Sequence, residues 1–424
     1  MTSRSLAVSG ALLEGKTTDL LAIDGLIAEI GPGLDLSRAE EVIDGTDLIL
    51  APSLVNGHTH AAMAILRGRG GDLPLDRWLQ EVIWPIEKGL SGEDIYWGTR
   101  LACIEMARNG VSEFWDMYWH SPDAARAVRD AGLRVVAGPV VLSLPGAADP
   151  AKDEAALIED LDRIGEMGPL VRPAIAPHAI YTVGPDRLQR LADLAAERKL
   201  PIHIHLSETE KEVDDCVSEH GLRPAAYIDR LGLLGPETLL AHGVWLDDDE
   251  LDLVAERGAT VVTNPVANQK LAVGRTFPLP RALEAGVSIG LGTDGPASND
   301  SLDPLSDLKV LALAQRNAAN DAAVLGSGEA WRIATGQASN LLRPYRPLEP
   351  GSPADFILLN GKAPELATGE LTSNLVFAAS GAAVDTLVVD GRPVSRHREV
   401  SGSDEVLERV SVIDSRLVDG SGRD

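Results

Sequence analysis

Nine histidines are spread along this chain of 424 residues, and the first two, His58 and His60, stand one residue apart in Asn56-Gly57-His58-Thr59-His60. The pair follows an apolar run over 48–55, which reads as a buried strand. Side chains two apart on a strand point the same way. Two imidazoles at one strand end can therefore share a divalent metal ion, although hydrogen-bonded core histidines would look the same. His178 stands in Ala176-Pro177-His178, His203 and His205 in Ile202-His203-Ile204-His205-Leu206, and His242 in Leu240-Ala241-His242-Gly243. Each closes an apolar run. Gly292-Thr293-Asp294-Gly295 closes another with a carboxylate. His120, His220 and His397 fall in loops or helices and read as surface residues.

These residues need elements that bring their strand ends together. Strand-like runs occur at 48–58, 111–117, 134–142, 172–178, 201–206, 238–242, 259–264 and 287–292, separated by stretches of helical period such as 184–199 and 247–257. Eight strands alternating with helices predict an α/β fold of the (β/α)8 TIM-barrel type, whose active residues gather at the C-terminal strand ends. A doubly wound open sheet is the alternative, but no Gly-x-Gly-x-x-Gly follows a first strand. Six histidines and Asp294 would then face one rim. That is too many for one ion, since a catalytic zinc takes three or four protein ligands and a water. Alternation puts His203 on the face of His205 but deeper, as a buried supporting or polar core residue. Asp294 could ligate, accept a proton from bound water, or do both.

Before the first barrel strand, short runs at 6–13, 19–23, 26–30 and 41–44 read as strands punctuated by Gly and Asp, with a turn at Glu14-Gly15-Lys16. Similar signals return at 355–359, 375–377 and 386–389. We therefore expect a small β-sandwich domain built from both chain ends, 1–52 with 344–424, around a catalytic barrel over 53–343.

Composition narrows the partners. The hydrophobic fraction of 44% and charged fraction of 24% fit a globular protein with a large core. The net charge of -26 argues against nucleic acid and against an anionic membrane surface, both of which need clustered Lys and Arg. It reads as a solubility feature or one of a salty habitat. The two cysteines, Cys103 and Cys216, offer neither a disulfide framework nor a cysteine metal site, and fit a cytoplasmic setting. The start of the chain is a poor signal peptide, and no apolar run reaches the roughly 20 residues of a membrane span.

The chain resembles the amidohydrolase superfamily, and within it the branch that deaminates methylthioadenosine and S-adenosylhomocysteine, with triazine hydrolases and guanine deaminases as relatives. The resemblance rests on Pro52-Ser53-Leu54-Val55-Asn56-Gly57-His58-Thr59-His60, Ala176-Pro177-His178, His205-Leu206-Ser207-Glu208-Thr209, Leu240-Ala241-His242-Gly243 and Gly292-Thr293-Asp294-Gly295-Pro296-Ala297-Ser298-Asn299. Gly351-Ser352-Pro353-Ala354-Asp355 matches the return into the terminal domain. It implies one divalent metal ion, usually zinc with Fe2+ as the alternative, held by His58, His60, His205 and Asp294. No Lys ends the fourth strand, so a carboxylated-lysine binuclear site is not expected. Glu208, His242 and Asp294 would be catalytic: Glu208 as proton shuttle, with His242 and Asp294 orienting the attacking water. Glu87, His178 and Ser298 would contact substrate, Glu87 at ribose hydroxyls. Trp78, Trp84 and Trp115 would wall the pocket or pack the core.

The implied reaction converts an aminated heterocycle to its oxo form with release of ammonia, with an adenine nucleoside of the methylthioadenosine/S-adenosylhomocysteine type as the leading small-molecule substrate. Guanine, a pterin or an s-triazine is the alternative, and a non-catalytic barrel subunit is the remaining one. The resemblance also implies a homo-oligomer. Two departures bear on substrate: Pro139 lies where an Arg would meet the carboxylate of S-adenosylhomocysteine, and Thr263 and Ala267 replace the usual His and Ser.

Overall fold

The computed structural model describes residues 4–69, 73–143 and 150–420. Both chain ends form one nine-stranded sheet. Ser5–Leu13, Lys16–Ile23 and Leu26–Gly31 make a meander whose turns fall at Glu14-Gly15 and Asp24-Gly25. Both residues of each turn have positive φ, the two-residue geometry that matches strand twist. Asp390-Gly391 makes the same turn between Val384–Val389 and Arg392–Arg396. The ends meet where Leu48–Pro52 pairs antiparallel with Phe356–Asn360, Leu50 opposite Leu358. Alternation along Phe356–Asn360 serves two cores. Phe356 and Leu358 pack with Leu20, Ile27 and Leu50, whereas Ile357 and Leu359 face the main core. The strand pairing thus gives the expected composite of both ends as a single sheet and does not define a sandwich.

Three details differ from the sequence reading, the first being that the run at 172–178 is two short strands, Val171–Pro173 and Ala176–Pro177. The run over 48–58 is not one strand. It divides at Ser53 into Leu48–Pro52, in the terminal sheet, and Leu54–Thr59, paired in parallel with Val111–Tyr118. Pro52 has no N–H to continue the first ladder. The Ser53 hydroxyl lies 2.7 Å from that of Ser112 and 3.2 Å from the Asp355 carbonyl, tying the crossing point to both sheets. The remaining difference is 375–377, which closes the helix Leu371–Phe377 rather than forming a strand. The Glu370 carboxylate caps that helix by accepting from the amides of Thr372 and Ser373. Three apolar residues are too few to show a period.

The middle of the chain alternates as expected. Leu54–Thr59, Val111–Tyr118, Arg134–Val141, Val171–Pro173 and Ala176–Pro177 form one parallel sheet; Ile202–Leu206, Thr238–His242, Thr260–Thr263 and Ser288–Leu291 form a second. Parallel bridges Ile175–Ile202 and Ala179–His205 join them on one side. On the other, the Asp294 amide donates to the His58 carbonyl at 3.0 Å. A (β/α)8 barrel fits this order. Every residue of Val111–Tyr118, Ile202–Leu206 and Thr238–His242 is buried, as strands covered on both faces require. The helices read from the sequence are present. Pro185–Arg198 buries Leu188, Leu191, Leu194 and Ala195, and Asp248–Arg257 is opened by a reciprocal Asp247–Glu250 capping box and closed by Gly258 at φ 73°.

Arg134 joins the parallel and terminal sheets. Its guanidinium holds both oxygens of Asp355, at 2.7 and 3.2 Å, and the Asp355 side chain is 1% exposed. Removing the Asp355 carboxylate leaves the guanidinium only the longer contact to Asp390 at 3.3 Å and leaves the Asp390 amide and Tyr345 hydroxyl without their acceptor, so Asp355→Ala should cost about 3–5 kcal/mol of unfolding free energy, read from urea denaturation. A loss below about 1 kcal/mol would show that the pair is as dispensable as an exposed one.

Candidate active site

The strand ends bring His58, His60, His205 and Asp294 together. One ligand atom from each lies within 4.8 Å of every other. Asp294 Oδ1 is 3.2 Å from His58 Nε2 and 3.3 Å from His60 Nε2, while His205 Nε2 is 3.3 Å from His60 Nε2. The opposite ring nitrogens are already engaged. His60 Nδ1 donates to the Met117 carbonyl at 2.6 Å and His205 Nδ1 to the His178 carbonyl at 2.7 Å. Carbonyls only accept, so each neutral ring carries its proton on Nδ1 and presents a bare Nε2 lone pair. His58 Nδ1 lies 2.8 Å from His203 Nε2, and its buried Nε2 has no hydrogen-bond donor. The Nε2 atoms of the three rings and a carboxylate oxygen of Asp294 converge on one point, a donor set that suits a divalent cation. Outer partners that fix each ring are what a metal-binding histidine requires. His203 therefore supports His58, in the place expected of it.

Three non-glycine residues here have left-handed backbones: Ser207 at φ 52°, His242 at 76° and Asp294 at 63°. Such conformations cost of order 1–3 kcal/mol each and gather at functional sites. At Asp294 the turn is held by the amide bond to His58 and by Ser298, whose hydroxyl donates to Asp294 Oδ2 at 2.6 Å. At His242 the ring is held by Asn268 Oδ1, 2.7 Å from Nδ1. On the first strand, Asp116 Oδ1 accepts from the Ala61 amide at 2.7 Å and the Thr59 hydroxyl at 2.8 Å, pinning the chain on both sides of His60.

Above the cluster lies a cavity lined by His178, Glu208, His242 and Ser298 near the ligand atoms, with Glu87 on its wall. Burial raises the pKa of Glu208, which lies 3.8 Å from His242 Nδ1. Burial pushes His178 down to about 3, leaving its imidazole neutral. Glu87 Oε1 accepts from the Tyr118 hydroxyl at 2.7 Å and Oε2 from Trp119 Nε1 at 3.2 Å, and burial also raises this carboxyl. The carboxylate is thus fixed in orientation and keeps lone pairs for another donor.

Every site residue read from the sequence is at this rim or in this cavity. The aromatic wall differs. Trp78 and Trp84 line it, but Trp115 is fully buried below, edge-on to His203 at 5.9 Å between ring centroids, and Trp119 takes the place on the wall. The two departures also change meaning. The cavity is lined by Val140 and Leu142 rather than Pro139, and Thr263 borders a separate small cavity with Asn268 and Gln315. Asn268, Asp116, Tyr118 and Trp119 were passed over. Asp116 falls in the strand-like run 111–117 and Asn268 next to Ala267, but neither residue type marks a role there.

A parallel α/β layout that gathers His-x-His from the end of Leu54–Thr59, His205 from Ile202–Leu206 and Asp294 from just past Ser288–Leu291 around one point is the layout of a metal-dependent hydrolase. The Amidohydrolase family model matches residues 49–394, and the chain belongs to that family. It is 43% identical to a 5'-deoxyadenosine deaminase of Methanoregula boonei over 385 residues, 90% of this chain and 87% of that protein. It is 39% identical to a 5-methylthioadenosine/S-adenosylhomocysteine deaminase of Syntrophobacter fumaroxidans, over 96% of this chain and 97% of that one. A crystal structure of an adenosine deaminase from Xanthomonas campestris with bound zinc superposes with a TM-score of 0.91 at 31% identity, covering 98% of both chains. No helix among the described residues is long and apolar enough to cross a membrane.

Proposed function

We propose that this protein is a zinc-dependent aminohydrolase acting on adenine nucleosides altered at the 5′ position, of the 5′-deoxyadenosine or methylthioadenosine type. The observation that carries the reading is the buried acid Glu208 beside His242, facing a cluster of three imidazoles and one carboxylate. The substrate class follows the relatives that match over nearly the whole chain. The reading takes the two parallel sheets as one closed barrel over 53–343, with 1–52 and 344–424 as the terminal unit.

Zinc held by His58, His60, His205 and Asp294 would act as a Lewis acid and bring the pKa of water toward neutrality. The chain supplies the rest. Asp294 and His242 orient water against the ring carbon that bears the amino group and take up its proton. Neutral Glu208 protonates the adjacent ring nitrogen as electron density moves there. The proton taken from water then passes to the amino group, the carbon–nitrogen bond breaks, ammonia leaves, and the proton of the new hydroxyl returns to Glu208 as the carbonyl forms. Ring C–NH2 and water become ring C=O and NH3. His178 sits at the rim as a neutral donor to the ring, Ser298 keeps Asp294 in register, and Glu87 accepts from ribose hydroxyls.

Ammonia release from 5′-deoxyadenosine, methylthioadenosine, S-adenosylhomocysteine, guanine, a pterin and an s-triazine tests the substrate class. We expect turnover of the nucleosides, and turnover of the guanine, pterin or triazine alone would reject it. Glu87→Ala should raise KM for the nucleosides by about 10–100-fold with little change in kcat, the loss of a charge-assisted hydrogen bond made equally before and during reaction. An unchanged KM would remove Glu87 from the ribose.

A further inference from the structure

We propose that Glu212 is the positioning residue for Glu208, its two carboxyl oxygens clamping two consecutive amides so that the turn between strand and helix aims the Glu208 carboxyl into the cavity. Glu212 lies in the first turn of helix Glu210–His220 and is 4% exposed. Its Oε1 accepts from the Ser207 amide and its Oε2 from the Glu208 amide, both at 2.8 Å. Ser207 is the residue held at φ 52°, where a side chain is strained. A buried acid is costly unless its acceptors are used, and here both oxygens are used on one dipeptide. The helix start is fixed independently, because the Glu212 amide donates to the Thr209 hydroxyl at 3.2 Å. Glu212 does not line the cavity. The clamp therefore acts on the reaction only through Glu208, and the inference rests on the proton-donor role proposed above.

A carboxylate has lone pairs on both oxygens, whereas an amide has them on one. Glu212→Gln keeps the shape but sets an NH2 group against one of the two N–H donors. We expect faster hydrogen exchange at the Ser207 and Glu208 amides and a kcat lower by about 10–100-fold, the scale of a small misplacement of a catalytic group. KM and zinc content should not move. The double variant Glu208→Gln/Glu212→Gln should be no slower than Glu208→Gln alone, since the two act as one unit. Losses that multiply, or a shift in KM and zinc content, would mean that Glu212 merely supports the pocket and would overturn the proposal. Unchanged exchange at the two amides would overturn it as well. If Glu212→Gln does not fold, Glu212→Asp serves in its place: it keeps both oxygens one methylene further back, and the same exchange and kcat comparisons apply. Absence of nucleoside turnover by the wild-type protein would reject the proton-donor reading, while amide exchange would still decide the clamp.

Discussion

Glu208→Gln is expected to lower kcat for nucleoside deamination by about 10²–10⁴-fold, the usual contribution of a positioned general acid. The amide is nearly isosteric and leaves the two main-chain hydrogen bonds to Glu212 in place, so the change removes a proton rather than a shape. Burial already favours the protonated carboxyl that the step needs. Zinc content and KM should stay within about twofold, because the interaction lost is made in the transition state. Steady-state ammonia release together with metal analysis of the same sample reads both quantities. A variant that keeps wild-type kcat would remove Glu208 from the chemistry.

Loss of the ion should have the second large effect. Dialysis against a chelator should abolish turnover, and one equivalent of zinc should restore it. His205→Ala should stay inactive at that zinc concentration, because it lacks the ligand atom 3.3 Å from His60 Nε2. The four ligand atoms converge only in the folded chain, so zinc should also raise the melting temperature of the wild-type protein. Binding at about a thousand times Kd contributes about 4.1 kcal/mol. A stripped protein that melts at the same temperature with and without zinc would contradict the ligand assignment.

Much of this site was legible in the sequence because strand ends are. A buried parallel strand is an apolar run, and a polar residue at its end has few places to go except the barrel rim. His60, His205, His242 and Asp294 could be placed by that reasoning alone. Their outer partners could not. Two of the three ligand imidazoles are fixed by main-chain carbonyls, of Met117 and His178, and a carbonyl leaves no trace in residue type. Depth along the chain was also hidden: Trp115 and Trp119 are four residues apart, yet one packs beneath the histidine cluster against His203 and the other walls the cavity. Glu212 sits three residues beyond the last motif residue and acts through two main-chain amides, so nothing in its spacing marks it. Errors of fold had local causes. Pro52 interrupts a run that otherwise looks continuous, and 375–377 is too short to reveal whether its period is that of a strand or a helix.

Turnover of 5′-deoxyadenosine by zinc-loaded protein, followed at once by ultraviolet absorbance, ammonia and product mass, tests the central claim most directly. The site described here predicts one ammonia for each nucleoside consumed and a product in which the ring amino group has become a carbonyl with the sugar intact. Protein that carries a full equivalent of zinc and leaves 5′-deoxyadenosine and methylthioadenosine unchanged would contradict it.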